Sequence, residues 1–118
     1  MGERMISDIL RTEPAEGHYV LRAGGAVIGE TDSAVWLHED GYDPRLYFPR
    51  QDVAMDFLDL STTTSHCPFK GDASYYSVVS KSTTIRDACW SYESPLPGAE
   101  AIAGMLAFYD DKVAVERI

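Results

Sequence analysis

The residues whose types could do chemistry crowd into one part of this sequence, from Tyr47 to Tyr75. Cys67 is the candidate nucleophile. A reactive thiol needs a nearby cation or a helix N-terminus to stabilise its thiolate, and Lys70 stands just across the turn at Pro68. The competing use is packing, since a free cysteine often serves as a small buried hydrophobe. Arg50 and Asp52 flank Gln51 after Pro49. On an extended segment such i, i+2 residues face the same way, so they form a candidate cation and acceptor at a pocket mouth. The alternatives are a surface ion pair, or Asp52 as a helix cap. Thr64 adds a hydroxyl. Downstream, Tyr75, Tyr76, Trp90 and Tyr92 lie on adjacent strand candidates. Trp90 and Tyr92 share a face, and one of the two tyrosines is expected to join them. Buried Tyr and Trp need a partner for their polar ends, so they often line pockets as well as fill cores.

Other chemistries fail on spacing. Structural zinc takes four ligands in close pairs. Cys67 has no second cysteine nearby, Cys89 is far along the chain, and His66 next to Cys67 points to the opposite face of a strand. Lys70-Gly71 lacks the leading glycine, the hydroxyl and the helix of a phosphate-binding loop, and no Gly-x-Gly-x-x-Gly occurs. No metal or cofactor is expected.

The elements that must position these residues read as short strands. His18–Ala23 and Ala26–Glu30 flank Gly24-Gly25, a hairpin signal because both glycines accept positive φ. Strands are expected at Ala34–Leu37, Arg45–Phe48, Ser61–Ser65, Ala73–Ser80 and Thr84–Tyr92, with a tight turn bracketed by Pro68 and Gly71. A helical turn is expected near Asp52, followed by strand, and another at Glu100. Leu106–Tyr109 and Lys112–Glu116, separated by Asp110-Asp111, read as a hairpin. Residues 1–17 are read either as half a helical stripe of Ile6, Ile9 and Leu10 or as an extended arm, with Pro14 and Gly17 breaking any element. The fold class is mainly β, a small single domain over 1–118. It is either a barrel or two packed antiparallel sheets, with one or two short helical turns.

The chain has 118 residues, a 45% hydrophobic fraction and a 25% charged fraction, which suits one globular domain with a real core. Its net charge is −9, and its ten basic residues are scattered singly, which disfavours nucleic acid and polybasic membrane attachment. No apolar run is long enough to span a bilayer and no signal-peptide pattern opens the chain. Two cysteines do not make a disulfide framework, so the expected location is cytoplasmic with reduced thiols.

Five segments together resemble one family. They are Gly25-Ala-Val-Ile-Gly-Glu-Thr-Asp-Ser-Ala34, Tyr47-Phe-Pro-Arg-Gln-Asp-Val53, Thr64-Ser-His-Cys-Pro-Phe-Lys-Gly-Asp-Ala-Ser-Tyr75, Ala88-Cys-Trp-Ser-Tyr92 with Pro95, and Ile102-Ala-Gly-Met-Leu-Ala-Phe-Tyr109. The sequence is similar in this order to the domain of unknown function family 427, which also carries a loose nucleotidyltransferase label. The resemblance implies a small, mostly β, single-domain protein without an assigned role. The family's polar residues correspond here to Arg50, Asp52, Thr64, Cys67, Lys70, Tyr75, Trp90 and Tyr92.

The expected function is binding of a small anionic ligand. Arg50, Lys70 and Thr64 would hold the anion, with Asp52 beside Arg50, and Trp90, Tyr92 and Tyr75 would form an apolar wall with Cys67 at the base. The alternative is a non-catalytic interaction module, a homodimer formed through an edge strand or the N-terminal arm. Nucleotidyl transfer is disfavoured, because the chain has no Gly-Ser phosphate grip and no Asp-x-Asp on a strand pair. The residues assign no reaction.

Overall fold

Apolar residues on the strands of this chain alternate with a period of two, and both phases of the alternation are buried. On the strand Arg45–Phe48, Tyr47 and Phe48 are adjacent and both fully buried, yet they belong to different apolar clusters. Leu106, Ala107 and Phe108 divide in the same way, as do Cys89 and Trp90. Side chains at successive strand positions leave opposite faces of a sheet, so the sheet holding these strands is covered on both sides.

The computed structural model describes residues 5–118 and contains ten strands. They are β1 (Leu10–Pro14), β2 (Tyr19–Ala23), β3 (Ala26–Thr31), β4 (Val35–Glu39), β5 (Arg45–Phe48), β6 (Leu58–Cys67), β7 (Gly71–Val79), β8 (Thr84–Ser91), β9 (Leu106–Phe108) and β10 (Ala114–Arg117). Seven form one antiparallel sheet in the order β1-β4-β5-β9-β8-β7-β6, and three form a second in the order β10-β2-β3. Helical structure is limited to one turn at Ile6–Ile9 and 3-10 turns at Arg50–Asp52, Met55–Phe57 and Glu100–Ile102. Among the described residues no helix is long and apolar enough to cross a membrane.

The two packed sheets expected from the sequence are therefore present, and the barrel alternative is corrected: the large sheet ends in β1 on one side and β6 on the other, without pairing between them. One face of the large sheet packs on the small sheet. Leu21, Ile28 and Val113 meet Phe48, Leu106 and Phe108 in a single core, where the Phe48 and Phe108 rings meet edge to face at 6.0 Å. The opposite face carries a second cluster centred on Tyr47, Trp90, Tyr92 and Ile102.

Several local expectations hold. Gly24 and Gly25 turn between β2 and β3 with φ of 56° and 84°, the left-handed conformations that such a two-residue hairpin demands. The hairpin at Pro68 closes with Cys67 opposite Gly71, whose φ of 107° suits glycine. The expected hairpin of 106–116 is corrected. β9 is already paired on both sides, with β5 and β8, so no edge remains for β10, which crosses to the other sheet and pairs with β2. The stretch after Asp52 makes a second 3-10 turn, and the strand begins only at Leu58. Of the extended arm expected over 1–17, residues 10–14 are extended and add to the large sheet as an edge strand against β4, Ile6–Ile9 form a helical turn instead, and residues 1–4 lie outside the described residues.

One row of the large sheet gathers its aromatic residues. Tyr75, Trp90, Ala107 and Tyr47 stand directly opposite one another across β7, β8, β9 and β5. The small Ala107 lets the rings beside it approach: Tyr47 and Trp90 meet at 6.5 Å, nearly perpendicular. Ala107→Leu should drive a larger side chain between these rings and destabilise the protein by about 1–3 kcal/mol, as overpacking does. Urea denaturation measures this, and unchanged stability would mean that the rings do not meet across Ala107.

Candidate functional site

The aromatic face of the large sheet holds a cavity of about 680 Å³. Its floor is the row of Tyr75, Trp90 and Tyr47. Trp90 is buried, and its indole Nε1 donates to the Tyr47 hydroxyl at 3.2 Å, giving both polar ends a partner away from water. Tyr109 follows β9 and packs on Trp90 with centroids 4.7 Å apart. Tyr92 lies two residues beyond Trp90 and therefore on the same face. Burial pushes the Tyr47 phenol up to about 12 and raises that of Tyr92 as well. Burial and a hydrogen bond with Tyr75 push Tyr109 up to about 12. At neutral pH Tyr47, Tyr92 and Tyr109 are neutral phenols that can donate or accept a hydrogen bond.

The polar side of the cavity comes from opposite ends of the sheet. Lys70, in the β6–β7 hairpin, reaches Glu39 at the end of β4 with an Nζ–Oε1 distance of 2.5 Å. Their side chains are 13% and 15% exposed, so the pair is largely removed from water. The same ammonium lies 5.4 Å from the centre of the Tyr92 ring. Burial alone would lower the Lys70 pKa, but the hydrogen bond and charge of Glu39 outweigh it and the net shift is upward. The stability this lends is complete below the ordinary lysine value and is lost as pH rises through the raised one. Arg45, at the start of β5, places its guanidinium 5.6 Å from the Trp90 ring centre, at the mouth of the cavity. Asp40 and Asp43, from the β4–β5 loop, also stand on the rim.

Five of the residues expected from the sequence come together here: Cys67, Lys70, Tyr75, Trp90 and Tyr92 all line the cavity. Cys67 is half-buried among the aromatic cluster, and its neighbour His66 bonds the Asp72 carboxylate at 2.7 Å. Tyr75 is the tyrosine that joins Trp90 and Tyr92, while Tyr76 turns to the other face.

Arg50, Asp52 and Thr64 do not join them. Pro49 leads into a 3-10 turn, which rotates Arg50 and Asp52 out of the extended geometry in which i and i+2 share a face. Arg50 instead donates to both carboxylate oxygens of Glu93, at 2.8 and 2.7 Å, and to the Gly104 carbonyl at 3.0 Å. It fastens that turn to the end of β8. Asp52 makes no cap and accepts a hydrogen bond from the Thr31 hydroxyl at 2.7 Å. Thr64 is exposed on the edge strand β6, opposite Ser74.

Arg45, Tyr47, Tyr109 and Glu39 belong to the site, and no local pattern in the sequence marks them out. The period of two in Arg45–Phe48 puts Arg45 and Tyr47 on one face, but their meeting with Trp90 depends on the β5-β9-β8 order. Among the described residues no three His, Cys, Asp or Glu side chains cluster closely enough to hold a metal ion.

Lys70→Met should leave the Glu39 carboxylate desolvated without a counter-charge and cost about 2–3 kcal/mol, somewhat under the usual figure for a fully buried pair. Glu39→Gln with Lys70→Met should recover most of that loss. Denaturant melts of the two single variants and the double variant measure the coupling. Additive losses would show that the two side chains do not act as a pair.

No curated protein matches the chain. The sequence profile described as "Domain of unknown function (DUF427)" matches residues 11–118, from β1 to the last residue. The matched span contains every strand but the first residue of β1, and the whole cavity except Ile9. The chain therefore belongs to the domain of unknown function 427 family.

Proposed function

We propose that this domain binds a small anionic organic molecule in the aromatic cavity of the large sheet. The observation that carries this reading is the cavity's composition. A volume of about 680 Å³ lies within the range of small-molecule sites. Its walls are aromatic, and two cations, Lys70 and Arg45, stand against them in a chain whose net charge is −9. Aromatic rings lining an open cavity, with the Arg45 guanidinium at its mouth, support binding of a flat anion. The ligand's flat part would lie against Tyr75, Tyr92 and Tyr109, and its anionic end would face the mouth of the cavity.

The two tryptophans make a direct test. Trp90 is in the cavity wall, and Trp36 packs against the core on the other face. A library of ring-bearing acids, screened by NMR on the two indole N–H signals, should yield compounds that shift Trp90 and leave Trp36 in place. A screen in which no compound moves the Trp90 signal would overturn the reading.

A second reading, self-association, is favoured by the edge strand β6. It ends the large sheet, and its central residues Ser61–Thr64 carry no charge, with Leu60 beside them 68% exposed. The opposite edge, β1, carries Arg11, Glu13 and Pro14, which discourage strand addition. On this reading light scattering gives the mass of a dimer, and Thr62→Lys reduces it to a monomer. A wild-type monomer at micromolar concentration would remove the reading.

A further inference from the structure

We propose that Arg45 is the anion-recognition residue of the cavity, and that the group it takes is an oxyanion, a carboxylate or a phosphate, held along the edge of its guanidinium. This rests on the small-molecule reading and names the ligand class for that site.

The cations near the site differ in what already engages them. Lys70 is spent on Glu39. Lys112, over the Tyr109 ring, donates to the Arg86 and Asp87 carbonyls. Arg50 is held by Glu93. Arg45 differs from all three: among the described residues it forms no ion pair and no side-chain hydrogen bond, and its guanidinium lies 5.6 Å from the centre of the Trp90 ring.

The Arg45 guanidinium, 5.6 Å from the Trp90 ring centre and without a carboxylate partner among the described residues, keeps its N–H edge available. That edge is a planar fork of donors matched to two oxygens of one carboxylate or phosphate. Trp90 is engaged on two sides, its nitrogen donating to the Tyr47 hydroxyl and its ring packed by Tyr109. A bound oxyanion at Arg45 therefore sits at a defined place on the mouth of the cavity, with the rest of the molecule directed inward.

A rim carboxylate sharpens this assignment. Asp43 lines the same mouth, so a bare inorganic anion meets repulsion without apolar contact in return. A ring within the cavity adds the burial that offsets it. Charge and ring are both required, which selects an aromatic or similarly flat acid over a free ion.

Three probes of one shape test the assignment: naphthalene-2-carboxylate, 2-naphthyl phosphate and naphthalene-2-carboxamide, titrated while the Trp90 indole signal is followed. At least one oxyanion should bind on the order of tenfold tighter than the amide, the gain of a charge-assisted hydrogen-bonded pair. Arg45→Gln should remove that difference and leave the amide's affinity unchanged. Arg45→Lys, which keeps the charge and loses the fork, should restore only part of it. Arg45 is exposed, so the variants should fold, and an unchanged urea melt checks this. Equal binding of acids and amide, or an acid preference that survives Arg45→Gln, would overturn the role of Arg45 and leave the cavity as a binding site. Failure of all three probes to move Trp90 would overturn the cavity reading and this one with it. The carboxylate and phosphate arms decide which oxyanion the mouth prefers.

Discussion

The contact between Lys70 and Glu39 constrains the whole large sheet. Glu39 ends β4, and Lys70 sits in the hairpin that starts β7. Between those strands lie β5, β9 and β8. Four strand spacings in a flat sheet would separate β4 from β7 by about 19 Å. Two side chains cannot bridge that distance, so the sheet must curl until its ends face each other across one surface. The curl makes the cavity. It also explains how a sheet without barrel closure can enclose space on a face with no second sheet over it.

Curling a sheet brings polar groups inward along with the aromatic ones, and each needs a partner. The Trp90 nitrogen finds the Tyr47 hydroxyl, and Lys70 finds Glu39. Among the described residues no buried side-chain nitrogen or oxygen lacks a hydrogen-bond partner. The cavity is thus a built surface, with polar groups oriented by specific bonds, and it is not a packing defect left between elements. An ion pair so poorly exposed contributes little net stability compared with an apolar pair of similar shape, because desolvation offsets the attraction. Its use here is geometric: it fixes how far the two ends of the sheet approach.

Much of this architecture is legible in the residues. β7 and β8 declare themselves through β-branched and aromatic residues, and period two puts Trp90, Tyr92 and one of Tyr75 and Tyr76 together, as the fold does. The hairpin at Pro68 can be read from its turn chemistry, which carries Cys67 and Lys70 to the site. What is not legible is partnership between distant strands. Leu106–Phe108 and Ala114–Arg117 are strands, as their pattern says, but nothing local tells that β9 is inserted between β5 and β8. Without that insertion, Tyr47 and Tyr109 cannot be placed beside Trp90. The barrel alternative fails for the same reason, since closure depends on which strands remain at the edges.

Arg45 and Arg50 show how far local conformation governs the use of identical side chains. They are five positions apart and both emerge near an aromatic ring, Trp90 for one and Tyr76 for the other. Arg45 belongs to a strand, so its direction follows the pleat and it shares the face of Tyr47. Arg50 follows Pro49 into a 3-10 turn, and the rotation of that turn carries it away from the aromatic face toward Glu93 and the Gly104 carbonyl. One charge is neutralised bidentately and closes the fold. The other lies over the Trp90 ring with no carboxylate partner among the described residues. Sequence position alone favours Arg50, because the Pro-Arg-Gln-Asp step is the more unusual local pattern. The physical distinction lies in which cation still lacks a carboxylate once the chain has folded, and that depends on where Glu93 and Glu39 end up.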